Sequence, residues 1–127
     1  MERLIVLDTE TTGIKPSEGH RIIEVGAVQI LDREITSTEF HRYIQPNRKV
    51  GESVNIHGIT DKFLINKPQF NQISDDLLSF IEGTTLVIHN APFDLGFLNN
   101  ELKIIGIKKT IESICNVIDT LELSKQQ

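Results

Sequence analysis

Leu4-Ile5-Val6-Leu7-Asp8-Thr9-Glu10-Thr11-Thr12-Gly13 joins an apolar run to two carboxylates spaced two residues apart. It reads as a strand over residues 3–7 that turns polar as it ends. Side chains at i and i+2 of a strand share a face, so Asp8 and Glu10 can converge on one point in space. Two acids aimed together repel unless a proton or a cation sits between them. Hard oxygen donors of this kind suit Mg²⁺ or Mn²⁺, and Gly13 would let the backbone turn away behind them. The plainer alternative is a polar strand exit with two solvated acids.

The rest of the chain bounds what such a motif can serve. Its 127 residues fit one domain with a core and leave little for a second module. With 39% hydrophobic and 24% charged residues, no long apolar run and no basic-then-apolar start, the sequence predicts neither a signal peptide nor a membrane span, hence a cytoplasmic protein. Cys115 is the single cysteine, which excludes an intrachain disulfide and a thiolate metal cluster and leaves buried filler as its expected role. A net charge of −5 argues against a large DNA-wrapping surface of Lys and Arg. It is compatible with a protein that holds phosphate through divalent cations, because bound cations reverse the local sign of a carboxylate cluster.

Downstream, residues 22–30 are rich in β-branched side chains, residues 31–34 suit a turn, and residues 35–44 make a third strand, which together predict an antiparallel meander. Residues 45–55 contain Pro46, Asn47 and Gly51 without a period and read as a loop. His57-Gly58-Ile59-Thr60 leads into a short helix that Thr60 can cap and that ends before Lys67-Pro68. Phe70, Ile73, Leu77 and Ile81 form one stripe of a helix over residues 70–81, with Gly83 as its stop. Residues 86–89 make a short buried strand, and Ala91-Pro92 opens a helix that carries Phe93, Phe97, Leu98 and Leu102 and ends near Gly106. Residues 116–119 make a last strand, and Thr120 starts a helix through Leu121 to Gln127 without a stop signal, which would cover one sheet face. Meander first and helix-strand alternation second predict an α/β fold, a mixed sheet with helices on its faces.

His89-Asn90-Ala91-Pro92-Phe93-Asp94 repeats the first geometry: a buried strand, a turn, then an acid in the first turn of a helix. Parallel strands bring such exits to one sheet edge, where Asp94 can join Asp8 and Glu10. Taken alone, Asp94 is an N-terminal acid favoured by the helix dipole. His89 is expected to hydrogen-bond the backbone, His20 and His41 to lie near the surface, and Asp119 to cap a helix or support the site from behind.

These motifs, with His57-Gly58-Ile59-Thr60 between them and the segments at residues 20–28 and 117–121, resemble the DEDD (DnaQ-like) 3′–5′ exonuclease superfamily over nearly the whole chain. Within it the likeness is greatest to the proofreading epsilon branch of bacterial DNA polymerase III. The resemblance implies a ribonuclease-H-like fold and removal of nucleotides from a DNA 3′ end by two divalent cations, Mg²⁺ or Mn²⁺, about 3.5 to 4 Å apart. It implies that Asp8 bridges the cations, that Glu10 holds the one carrying the attacking water, and that Asp94 orients the other. It further implies that Thr9, Thr11, Glu52, Ile56, His57 and Phe93, with Asp8 and Glu10, face the terminal nucleotide. Thr9 and Thr11 serve equally well as turn residues, and Phe93 equally well as core. Implied partners are a single-stranded or frayed DNA 3′ end and the catalytic alpha subunit with the other core subunits of the polymerase.

The superfamily also calls for a later helix bearing a histidine and, five residues on, an aspartate. No histidine follows His89. The expectation is therefore an exonuclease domain over residues 1–127 that lacks its C-terminal helices and the polymerase-binding tail, with weak or no activity. Alternatives are an exonuclease of RNA 3′ ends and a noncatalytic module that binds a polymerase or a DNA end.

Overall fold

In the computed structural model, which describes residues 3–125, the first strand β1 (Arg3–Thr11) runs through the acidic motif instead of ending at Leu7. The cause lies in its neighbour: β2 (Ile22–Leu31) pairs antiparallel with it as far as Thr11↔Ile22, which keeps the motif's backbone extended and paired on that side. Ile5, Leu7, Thr9 and Thr11 are buried on one face, and Val6, Asp8 and Glu10 occupy the other.

The expected meander is present. β3 (Glu34–Tyr43) pairs antiparallel with β2, and Leu31 faces Glu34 across a two-residue turn. Asp32 and Arg33 both take positive φ there, 52° and 71°, the geometry that matches the twist of a tight hairpin. β4 (Thr85–Ile88) pairs parallel with β1, and β5 (Asn116–Asp119) pairs parallel with β4, giving the order β3-β2-β1-β4-β5. This is the predicted mixed sheet.

Residues 45–55 are not all loop. A 3-10 turn at Gly51–Ser53 runs into α1 (Val54–His57), and α2 (Asp61–Leu64) follows with Thr60 accepting from the Phe63 N–H at its start. No period announces α1, because tertiary contacts hold it: the Val50 N–H donates to Asp61 Oδ1, and Val50 and Val54 pack with Ile23, Ile59 and Leu64. α3 (Phe70–Ile81) has the expected bounds, opened by a reciprocal Gln69–Gln72 capping box. α4 (Ala91–Ile104), the short α5 (Ile111–Ile114) and α6 (Thr120–Lys125) complete the described chain; residues 126–127, assigned to the last helix from sequence, lie outside the described residues.

The main core forms where α3 and α4 cover the buried sheet face, with Ile5, Leu7, Leu77, Leu86 and Phe97 at its centre. Cys115 is the buried filler expected of it, and burial pushes its thiol up to about 11. The other sheet face is less covered: Val6, Val87 and Ile118 stand in register across it, with Val6 and Ile118 exposed. No described helix is long and apolar enough to cross a membrane.

Candidate active site

Parallel pairing of β1 with β4 brings the acidic motif and the start of α4 to the same sheet edge. Asn90 makes the turn into α4 in the left-handed region, φ 63°, and its N–H donates to Asp119 Oδ1 at 3.0 Å. The same oxygen accepts the Leu121 N–H at 2.9 Å, so Asp119 caps α6 and also pins the turn before Asp94. Burial pushes its carboxyl up, but N–H groups of Leu121, Asn90, Ala91 and Glu122 outweigh it and hold the pKa below the ordinary value.

Asp94 is 3% exposed and accepts a hydrogen bond from the Thr9 hydroxyl. Its carboxyl is pushed up to about 6, first by loss of water and then by the charges of Asp8 and Glu10, with the Thr9 bond opposing. Glu10 is raised too, by burial, then by Asp8, with His57 opposing and Glu24 adding a smaller push. The three acids therefore face one another electrostatically. They do not converge as closely as their spacing predicts: among the described residues, no group of three or more His, Cys, Asp or Glu side chains is placed to hold a metal ion. Strand alternation explains this, since Asp8 and Glu10 leave β1 on one face while Thr9 draws Asp94 to the other. The donor set nevertheless fits divalent cations, being all oxygen, partly desolvated and mutually repulsive without positive charge between its members.

Beside the acids lies a pocket of about 660 Å³. Thr9, Glu10 and Thr11 line one side, and Glu52, Ile56, His57 and Phe93 line others, so every expected nucleotide-facing residue except Asp8 meets there. Ile56 is 88% exposed, an apolar side chain with no core to fill. Phe93 lines the pocket and packs on Phe97, ring centroids 5.1 Å apart. The His57 ring is fixed at both nitrogens: Nδ1 accepts the Ile59 N–H at 2.9 Å, so the neutral ring carries its proton on Nε2, 3.0 Å from Ser53 Oγ. The threonine hydroxyls turn inward, Thr9 to Asp94 and Thr11 to the Gly13 carbonyl at 2.6 Å.

The profile of the exonuclease family matches residues 5–127. The chain belongs to this family. It is 50% identical over 130 residues to the DNA polymerase III subunit epsilon of Buchnera aphidicola subsp. Acyrthosiphon pisum, covering 98% of this chain and 55% of that protein. It is 46% identical over 129 residues to the epsilon subunit of Pasteurella multocida, covering 98% and 51%. The chain thus spans about half the length of these relatives. Among solved structures, Escherichia coli Exonuclease I with a dA16 oligonucleotide superposes with a TM-score of 0.84 at 16% identity over 99% of this chain and 30% of that one. Exonuclease X with a 5′ overhanging duplex gives 0.71 at 24% identity over 97% and 63%. At these identities the likeness establishes the fold, the ribonuclease-H-like one expected. Exonucleases of this family generally use divalent metals, and one Exonuclease I structure contains zinc.

Several residues that shape the site in this exonuclease domain carry no sequence signal. The backbone bends away at Gly13 as expected, but without positive φ, and glycine serves there for space: a methyl group would sit 2.4 Å from the His20 ring, which hydrogen-bonds Thr12 Oγ1 at 2.9 Å. Glycine is needed for that close approach. His89 bonds the Thr120 hydroxyl at 2.9 Å instead of the backbone, joining the two strand exits. Arg48 lines the pocket from an aperiodic segment, where a lone arginine gives no warning. Glu101 is 1% exposed and accepts both Nε and Nη2 of Arg21, at 2.8 and 2.7 Å, together with the Ile22 N–H at 3.1 Å. The pair clamps α4 to the start of β2, beside the loop that follows the acidic motif.

Proposed function

We propose that the protein is a 3′–5′ exonuclease that removes mispaired 3′-terminal nucleotides from DNA, acting as an epsilon-like proofreading subunit of a bacterial DNA polymerase III. The observation that carries this reading is the electrostatic confrontation of Asp8, Glu10 and Asp94 beside a nucleotide-sized pocket. The epsilon subunits that match almost the whole chain support the same substrate and the same setting, with the polymerase alpha and core subunits as partners in the cytoplasm.

Asp8, Glu10 and Asp94 would hold two divalent cations, Mg²⁺ or Mn²⁺. When bound, such ions supply Lewis acidity that makes water a better nucleophile and stabilises the departing 3′-oxygen of an in-line displacement. The protein's own contribution is positioning. Phe93 and Ile56 flank the terminal base, a stacking contact worth about 1 to 3 kcal/mol at single-strand sites. His57, whose Nε2–H is held by Ser53 Oγ, walls the nucleotide site without acting as a base, and Glu52 faces the sugar side. Backbone groups of Thr9 and Thr11 border the same nucleotide.

Residues 1–127 carry three acids of the family's four, no histidine follows His89, and His57 is engaged at both nitrogens. A positioned base contributes about 10² to 10⁴-fold. Incubated with Mn²⁺ and a 3′-end-labelled single strand, residues 1–127 alone are expected to release label slowly. A chimera that adds the remaining length of the Buchnera epsilon subunit should release it at least 10²-fold faster, and Asp8→Ala should abolish the gain. A chimera that stays inactive overturns the proposed activity, rapid release by residues 1–127 overturns the requirement for the fourth acid and the base, and preference for RNA ends overturns the DNA assignment.

A further inference from the structure

A second groove, about 810 Å³, lies away from the carboxylates and is lined by Lys15, Lys103, Lys108 and Lys109 with Asn99 and Asn100. No acid lines it, although Asp and Glu outnumber Lys and Arg 18 to 13 in the chain. All four lysines are exposed, and among the described residues none of them forms an ion pair. Asn99 anchors the far wall: its amide donates to Glu112 Oε1 at 2.7 Å and its carbonyl accepts the Ile111 N–H at 2.8 Å.

The groove adjoins the nucleotide pocket. Gly13, Ile14 and Glu18 line the pocket, whereas Lys15, Pro16 and Ser17, on the same short segment, line the groove. α4 contributes to both, Phe93 to the pocket and Gly96 through Lys103 to the groove. At 1.5 Å per residue, Phe93 and Lys103 are separated by about 15 Å along the helix.

We propose that this groove holds the phosphates of a single-stranded nucleic acid whose 3′ terminus occupies the pocket at Ile56 and Phe93. Lysines on flexible stems neutralise phosphates without reading bases, as an enzyme that must accept any terminal sequence requires. A basic track on an acidic protein confines the strand to one path while the rest of the surface repels it. The proposal rests on the nucleotide-pocket reading above, and the two can fail separately.

The test is fluorescence anisotropy of the 127-residue chain with 5′-labelled oligothymidylates in Ca²⁺ across a salt series. Affinity should rise from the dinucleotide to an octanucleotide. The triple substitution Lys103→Gln, Lys108→Gln and Lys109→Gln should weaken octanucleotide binding tenfold or more. It should also lower the salt slope by about 2, three contacts at about 0.7 each. Dinucleotide affinity and melting temperature should stay unchanged. An octanucleotide affinity and salt slope unaltered by the triple substitution would overturn the groove. Absent dinucleotide binding with lysine-dependent octanucleotide binding would overturn the pocket reading and leave the groove supported.

Discussion

Helix α4 buries a carboxylate at each end, and the two are treated in opposite ways. Glu101, near its C-terminus, is matched in charge and geometry by a bidentate guanidinium and a backbone N–H. Asp94, two turns earlier and almost as buried, has no cationic partner: it accepts only from the Thr9 hydroxyl and backbone N–H and faces two like charges. A buried acid with full compensation is a structural clamp, whereas one left with uncompensated charge is poised for a cation. One helix thus carries both a rigid clamp and, on the proposed reading, the charge that a cation would relieve.

Breaking the clamp is expected to have the largest effect on stability. Glu101→Ala would strand Arg21 partly buried and should cost about 3 to 5 kcal/mol in urea unfolding. Pairing Glu101→Leu with Arg21→Met should recover much of that loss, because an apolar pair of similar volume avoids the desolvation cost. A cost below about 1 kcal/mol for the single change would show that the pair is no clamp.

The opposite end should respond with the opposite sign. Asp94 binds its proton more tightly in the folded chain, pKa about 6, than in the unfolded one, 3.8, so its contribution to stability is complete below about pH 3.8 and is lost as pH rises through about 6. At 1.36 kcal/mol per pH unit the loss approaches about 3 kcal/mol. Asp94→Asn should therefore be more stable than the parent in EDTA above pH 6, with the gap closing below pH 4. Excess Mg²⁺ should stabilise the parent and leave the variant unmoved. Equal stability of the two proteins across that pH range would remove the contrast between the ends of α4.

A smaller effect sharpens the same comparison. Asp119→Ala removes the acceptor for the Asn90 and Leu121 N–H groups and should cost about 1 kcal/mol. Since Asn90 precedes α4, the change should also weaken Mg²⁺ stabilisation, which depends on where Asp94 sits. Stability loss with undiminished Mg²⁺ stabilisation would confine Asp119 to capping α6.

Much of the fold was legible from period alone. The stripe of Phe70, Ile73, Leu77 and Ile81 placed α3 to the residue, and the β-branched run at residues 22–30 placed β2, because both signals reside in neighbouring side chains. α1 was missed, since Val50, Val54 and Leu64 are held by partners distant in sequence and show no period. The expected pocket residues met, apart from Asp8; the family resemblance had singled them out, since Glu52, Ile56 and His57 come from helical turns that no period marks. The roles of Gly13 and Glu101 stayed hidden for a different reason: each depends on a side chain brought in from another element, His20 for the one and Arg21 for the other.

The sequence by itself determined the acids, their family and the mixed sheet that carries them, because alternation and motif spacing are local properties. Only the tertiary structure decided how the acids stand to one another. Pairing with β2 kept Asp8 and Glu10 on one face of a continuous strand, and the Thr9 hydroxyl drew Asp94 to the other. Burial then raised the cost of their charges, an effect of surroundings that no linear pattern records.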